Sequence, residues 1–184
     1  MPFRLSRLRW SPLAVPALLL PLLAACGPER NAFAPPCPSA HLVPALADVT
    51  AYKGAGPAHD LTDLVYQARV TNVQGKCQFG DSKSELAVTV AVVLAAQRGP
   101  SMQGRDFDIP LFIAVTEGAD IRDKKVFPVH MTFPPNVDRV VVTSPDIAMS
   151  LPISAQKTGM AYDVIAGFQL TPDQLAANRQ QSAR

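Results

Sequence analysis

Residues 85–97 constrain the fold of this chain more than any other stretch. Leu86, Val88, Val90 and Val92 alternate with Ala87, Thr89, Ala91 and Val93. Successive side chains of a strand point to opposite faces, so this pattern predicts β-structure. Both faces are apolar or small, which predicts a central strand with neighbours on each side.

The same signal returns at intervals of roughly 8–15 residues, the spacing of an all-β domain. Residues 48–53 read as a first strand and 64–73 as a second, followed by a turn at Gln74-Gly75-Lys76. Residues 107–116 alternate again before the turn Glu117-Gly118-Ala119-Asp120. Residues 125–133 follow, then 139–143 and 146–153 as one bent strand or two around Ser144-Pro145, and 162–170 close the series. Pro110 and Pro128 nominate their strands as sheet edges, because proline cannot donate to a ladder. One helix is expected, at the end. Thr171 can cap it, Pro172 suits its first position, Gln174 completes a capping box, and Leu170 and Leu175 form a staple. Its polar tail, residues 178–184, is expected to fray. With no α/β alternation, the fold class is mainly β: an antiparallel two-layer β-sandwich of Ig-like architecture with a short C-terminal helix. The immunoglobulin hallmark of a buried Trp is absent, since the one Trp is Trp10 near the start.

The first 25 residues have a different character. Arg4, Arg7 and Arg9 form a basic head without acids, and the 16 residues from Trp10 to Ala25 are uncharged. This is the pattern of a secretory signal. A membrane-spanning helix needs about 20 apolar residues, and this stretch is shorter and broken by Pro12, Pro16 and Pro21. It ends in Leu23-Ala24-Ala25-Cys26. That run resembles the processing site of bacterial lipoproteins, with an aliphatic residue, two small residues and the obligatory cysteine. The resemblance implies cleavage between Ala25 and Cys26 and lipid on Cys26, including palmitate-type acyl chains. Two or three chains anchor firmly at about 0.8 kcal/mol per buried methylene. Gly27 stands where an Asp retains many such lipoproteins in the inner membrane, so the implied site is the outer membrane, facing the periplasm. The ending Gly167-Phe168-Gln169-Leu170-Thr171-Pro172-Asp173-Gln174-Leu175 resembles lipoproteins of alphaproteobacterial type, which supply no activity to carry over.

The expected organisation is therefore a signal peptide over residues 1–25, a lipidated Pro-rich tether over 26–46, and a β-sandwich over 47–184 with its helix from about 171. Five prolines in residues 27–44 support an extended tether. Removing three arginines with the signal leaves 14 basic against 15 acidic residues, which withdraws compositional support for a nucleic-acid partner. Cys37 and Cys77 remain after lipid takes Cys26. In an oxidising compartment the expected use is a disulfide, closing a loop worth roughly 3–4 kcal/mol. Free thiols, or thiols serving a metal or redox chemistry, are the competing reading.

No catalytic constellation is evident. There is no G-x-S-x-G, and Asp106 and Asp108 project to one side of a strand mouth. Met131, Met149 and Met160 with His130 could suit copper, but core filling is the ordinary use of such methionines. Two loops stand out as surface candidates: residues 98–105, expected to expose two arginines and Met102, and residues 121–125, expected to be charged and solvated. No cofactor or metal is expected. The sequence reads best as a non-enzymatic, lipid-anchored binding or structural module with an envelope partner. The alternative is a small-ligand or metal carrier, or an enzyme, whose site forms only in three dimensions around His59, Asp60 and His130.

Overall fold

The structure is a computed structural model that describes residues 35–54 and 60–182. Two sheets pack face to face. The first has the order β1 (Ser39–Leu42), β9 (Asp163–Phe168), β5 (Asp106–Glu117), β6 (Asp120–Thr132). The second runs β2 (Asp48–Tyr52), β3 (Leu64–Phe79), β4 (Glu85–Arg98), β7 (Arg139–Thr143), with β8 (Ile147–Pro152) also on β4. The described residues are thus mainly β, a sandwich with one short helix, α1 (Pro172–Ser182).

The core lies between the sheets and follows from the alternation. From β4, Leu86, Val90, Val92 and Leu94 are almost wholly buried, facing Ile109, Leu111, Ile113 and Val115 of β5 and Met131 of β6. At one end Phe107 stacks on Phe133 at 5.3 Å and meets Tyr66 at 4.7 Å. β4 is central, as its pattern predicts. Its second face is the outside of the sandwich, over which the described residues place no further layer.

Five local expectations need correction. Residues 39–46 do not belong to a tether. Ser39–Leu42 pairs parallel with β9, and Leu42 packs against the core before a 3-10 turn at Pro44–Leu46. Ser39 to Val43 is a proline-free stretch whose donors a neighbouring strand can use. Sheet pairing accordingly starts at Ser39, ahead of the expected boundary at 47. Gln74-Gly75-Lys76 is no turn, because β3 runs on and pairs Gly75 with Val90 and Lys76 with Thr89. The interruption lies earlier, in a bulge at Thr71, whose hydroxyl donates to Val93 O at 3.1 Å. The extra residue shifts the alternation, so Tyr66, Ala68 and Val70 face inward before it and Val73 and Cys77 after it.

Residues 121–125 are exposed as expected but form part of β6 and not a loop, paired with β5 after a two-residue turn at Gly118-Ala119, where Gly118 has φ 58°. Pro128 does lie on an edge strand, but Pro110 sits in β5, between β9 and β6. Pro110 O accepts from Gln169 N at 2.9 Å, so its backbone faces β9 where that ladder ends. No ladder donor is required of it there. Finally, α1 runs to Ser182, and Asn178 is buried, donating to Ala45 O at 3.0 Å and Asp48 O at 2.7 Å. These two bonds hold the start of the segment expected to fray. The expected capping box forms, with Thr171 N donating to Gln174 Oε1 and Gln174 N to Thr171 Oγ1.

β7 and β8 are separate strands. Between them Ser144 N donates to Val92 O at 2.8 Å, and Val92 N donates to Ser144 Oγ at 3.0 Å. A side-chain oxygen therefore replaces a strand carbonyl where the chain breaks at Pro145.

Candidate functional site: a covered apolar groove

The outer face of the first sheet divides into a polar and an apolar half. Along β5 the outward residues are Asp106, Asp108, Pro110, Phe112, Ala114 and Thr116, opposite Thr132, His130, Pro128, Val126, Lys124 and Ile121 of β6. In the polar half, His130 Nδ1 lies 3.0 Å from Asp108 Oδ1, Nε2 lies 3.9 Å from Asp106 Oδ1, and Thr132 Oγ1 donates to Asp106 at 2.7 Å. These three side chains are 63–65% exposed, so solvent screens the cluster and each pair is worth at most about 1 kcal/mol.

The apolar half is partly covered, with Ile121 and Val126 of β6 left exposed at its edge. The 3-10 turn Pro44–Leu46 and the start of α1 lie over β5 and β9 and leave a groove of about 330 Å³. Val43, Leu46, Phe112, Ala114, Ile121, Ile165, Leu170 and Leu175 line it, with Thr116, Lys124 and Gln169 as its polar side chains. Gly167 makes the covering possible: a Cβ there would come within 2.9 Å of both Leu46 Cβ and Leu46 O. At the rim, Lys124 Nζ stands 4.7 Å above the centre of the Phe112 ring, a cation–π arrangement. A second cleft, of about 380 Å³, lies beside β1 and the β3 bulge and is lined by Ala40, His41, Leu42, Thr71, Asn72 and Val73. Its histidine is engaged, with His41 Nε2 at 2.9 Å from Asp163 Oδ1.

The residues singled out from the sequence fall in different places. Ala25, Cys26 and His59 lie outside the described residues. Asp60 accepts from Thr62 N at 2.9 Å and Thr62 Oγ1 at 3.1 Å as the cap of the 3-10 turn Leu61–Asp63, and the Thr62 backbone bond holds its carboxyl below the usual range. His130 is hydrogen-bonded to Asp108 of β5 instead. Among the described residues, no group of three His, Cys, Asp or Glu side chains could hold a metal ion. Cys37 and Cys77 are joined as a disulfide with Cα atoms 5.8 Å apart. Met131 and Met149 fill the core, and only Met160 is exposed. The 98–105 loop is also more self-contained than expected: Met102 is buried, and Arg98 Nη2 donates to Met102 O and Gly104 O.

The groove was missed although β5 carries its signal. Leu111-Phe112-Ile113-Ala114-Val115 is apolar on both faces, which calls for a cover on the side away from the core. No family model, curated protein or solved structure matches the chain.

Proposed function

We propose that this chain is a lipid-anchored envelope protein whose sandwich is a non-enzymatic binding module, with the covered groove as its binding surface. The groove carries the binding half of this reading. Its apolar lining is built by four separate segments and reaches the surface beside a cation, the usual make-up of a ligand site. The anchoring half is supported by Leu23-Ala24-Ala25-Cys26 and the basic, then apolar, residues ahead of it. Lipid on Cys26 would place the domain on the membrane, and Gly27 favours the outer membrane with the domain facing the periplasm. An envelope component is the partner this location offers.

The test is metabolic labelling with an alkyne analogue of palmitate, followed by fractionation. The wild-type chain is expected to carry the label and sediment with membranes. The Cys26→Ala chain is expected to lose both, and membrane partitioning of an unlabelled, signal-free Cys26→Ala chain would refute the anchor.

A further inference from the structure

We propose that the groove holds a single-chain amphiphile with an anionic head, the hydrocarbon lying on Phe112, Ile165 and Leu175 and the head at Lys124. This rests on the reading of the domain as a binding module and names its ligand class. The volume, about 330 Å³, sits at the lower end of the roughly 300–1,000 Å³ of small-molecule sites, which suits one chain better than two.

The chemistry of the floor selects hydrocarbon over peptide. β5 is paired on one side with β6 and on the other with β9, so its backbone groups are engaged. A peptide laid in the groove would bring N–H and C=O groups with few partners to meet them. An acyl chain brings none.

The rim selects charge. Lys124 Nζ rests on Phe112 and makes no ion pair among the described residues. The acids of the nearby hairpin are committed elsewhere or turned away. Glu117 binds Lys157 at 2.7 Å and Arg122 at 2.9 Å, and Asp120 faces Arg122 at 3.9 Å. Asp123 is in register with core-facing Val115, on the other face of β6. The Thr116 hydroxyl lines the groove and can donate to a head-group oxygen, while Asp163, in register with it on β9, is engaged by His41 at 2.9 Å. Lys124 is exposed, so water partly screens its pull on an anion, and the ammonium fixes where the head lies more than how tightly it binds.

The experiment uses membranes containing the full chain, illuminated with a diazirine analogue of palmitate, and maps the photolabel by peptide mass spectrometry. Saturable labelling is expected on peptides carrying Phe112, Ile165 or Leu175, with competition by palmitate and by lysophosphatidylglycerol. The stronger competitor identifies a free fatty acid or a phospholipid as the source. Lys124→Glu is expected to weaken competition by both anions about fivefold or more, the scale of one partly exposed ion pair, and to leave competition by hexadecanol unchanged. Ala114→Phe, which fills the groove, is expected to abolish groove labelling while circular dichroism shows the sandwich intact. Equal competition by all three compounds, unchanged in Lys124→Glu, would overturn the anionic head and leave a binding groove. Labelling that does not saturate, or that lies elsewhere on a folded chain, would overturn the ligand itself. Failure of the anchor registers separately, as loss of covalent palmitate at Cys26.

Discussion

Gly159→Ala tests how the disulfide and the chain's entry into the sandwich depend on each other. Gly159 is buried in the 3-10 turn Gly159–Ala161, before β9. A Cβ added there would lie 2.0 Å from Pro36 O and 2.7 Å from Leu86 Cδ2. Leu86 is in the core and cannot move far. Pro36 could move, but Cys37 is bonded to Cys77 in β3, so the segment cannot withdraw while the bond is intact. The substitution then overpacks a fixed contact, at about 2 kcal/mol in the ordinary range for such changes. For a domain of this size that lowers Tm by roughly 4–8 °C. In a Cys37→Ala/Cys77→Ala background the Pro36 segment is free to lift off, and the same change is expected to cost under about 1 kcal/mol. The background itself is less stable by about 4 kcal/mol from the loop the bond closes. Urea unfolding of the four chains, followed by circular dichroism, gives both costs and their difference. Equal costs of Gly159→Ala in the two backgrounds would refute the claim that the disulfide holds Pro36 in place.

Ser144→Ala removes the acceptor of the Val92 N–H bond in the middle of the second sheet. Leaving that donor unmet is expected to cost about 1–3 kcal/mol, with faster amide exchange at Val92 as the local readout. Lys157→Gln addresses the end of the β5–β6 hairpin, where the Lys157 hydrogen bond is the main cause holding the Glu117 carboxyl below its usual range. A carboxyl depressed in the folded state stabilises above its unfolded pKa, and that contribution is lost as pH falls through the folded value. The variant's Glu117 is therefore expected to titrate at higher pH than in the wild type, which an NMR titration of its side-chain carboxyl carbon measures. An unmoved titration would show that Arg122, at 2.9 Å, holds the carboxylate alone.

What the sequence disclosed was the part set by neighbouring residues. Alternation in residues 85–97 depends only on the strand's own period, so β4 and its central place were legible. The capping box at Thr171 and Gln174 is likewise a pattern spanning three residues. Edge assignment from proline failed at Pro110, because a proline's tolerance depends on which neighbour its missing N–H would face. β1 was hidden for a related reason: Ser39–Leu42 is a strand only because β9, some 120 residues later, lies beside it. The bulge at Thr71 has no local marker such as glycine, and Gly75, which looks like a turn, is held in the ladder by the long partner β4. Of the groove, the two-faced apolar run of β5 was visible, but its covering by Leu46 and Leu175 was not. His130 illustrates the same limit, since its carboxylate partners became known only with the β5–β6 register.

The Cys37–Cys77 bond also sets a route for mechanical load. With lipid on Cys26, a pull from the membrane reaches the domain through 11 residues, which span at most about 40 Å. Without the bond that force would arrive at Ser39, the open end of a four-residue strand on the rim of a sheet, and would unzip it from β9 one pair at a time. With the bond, force would pass first into β3, a 16-residue strand paired with β4 from Tyr66 to Phe79. If Cys26 carries lipid, the crosslink would pass that load to a long strand before it reaches the short rim strand and the 3-10 turn and groove that follow it.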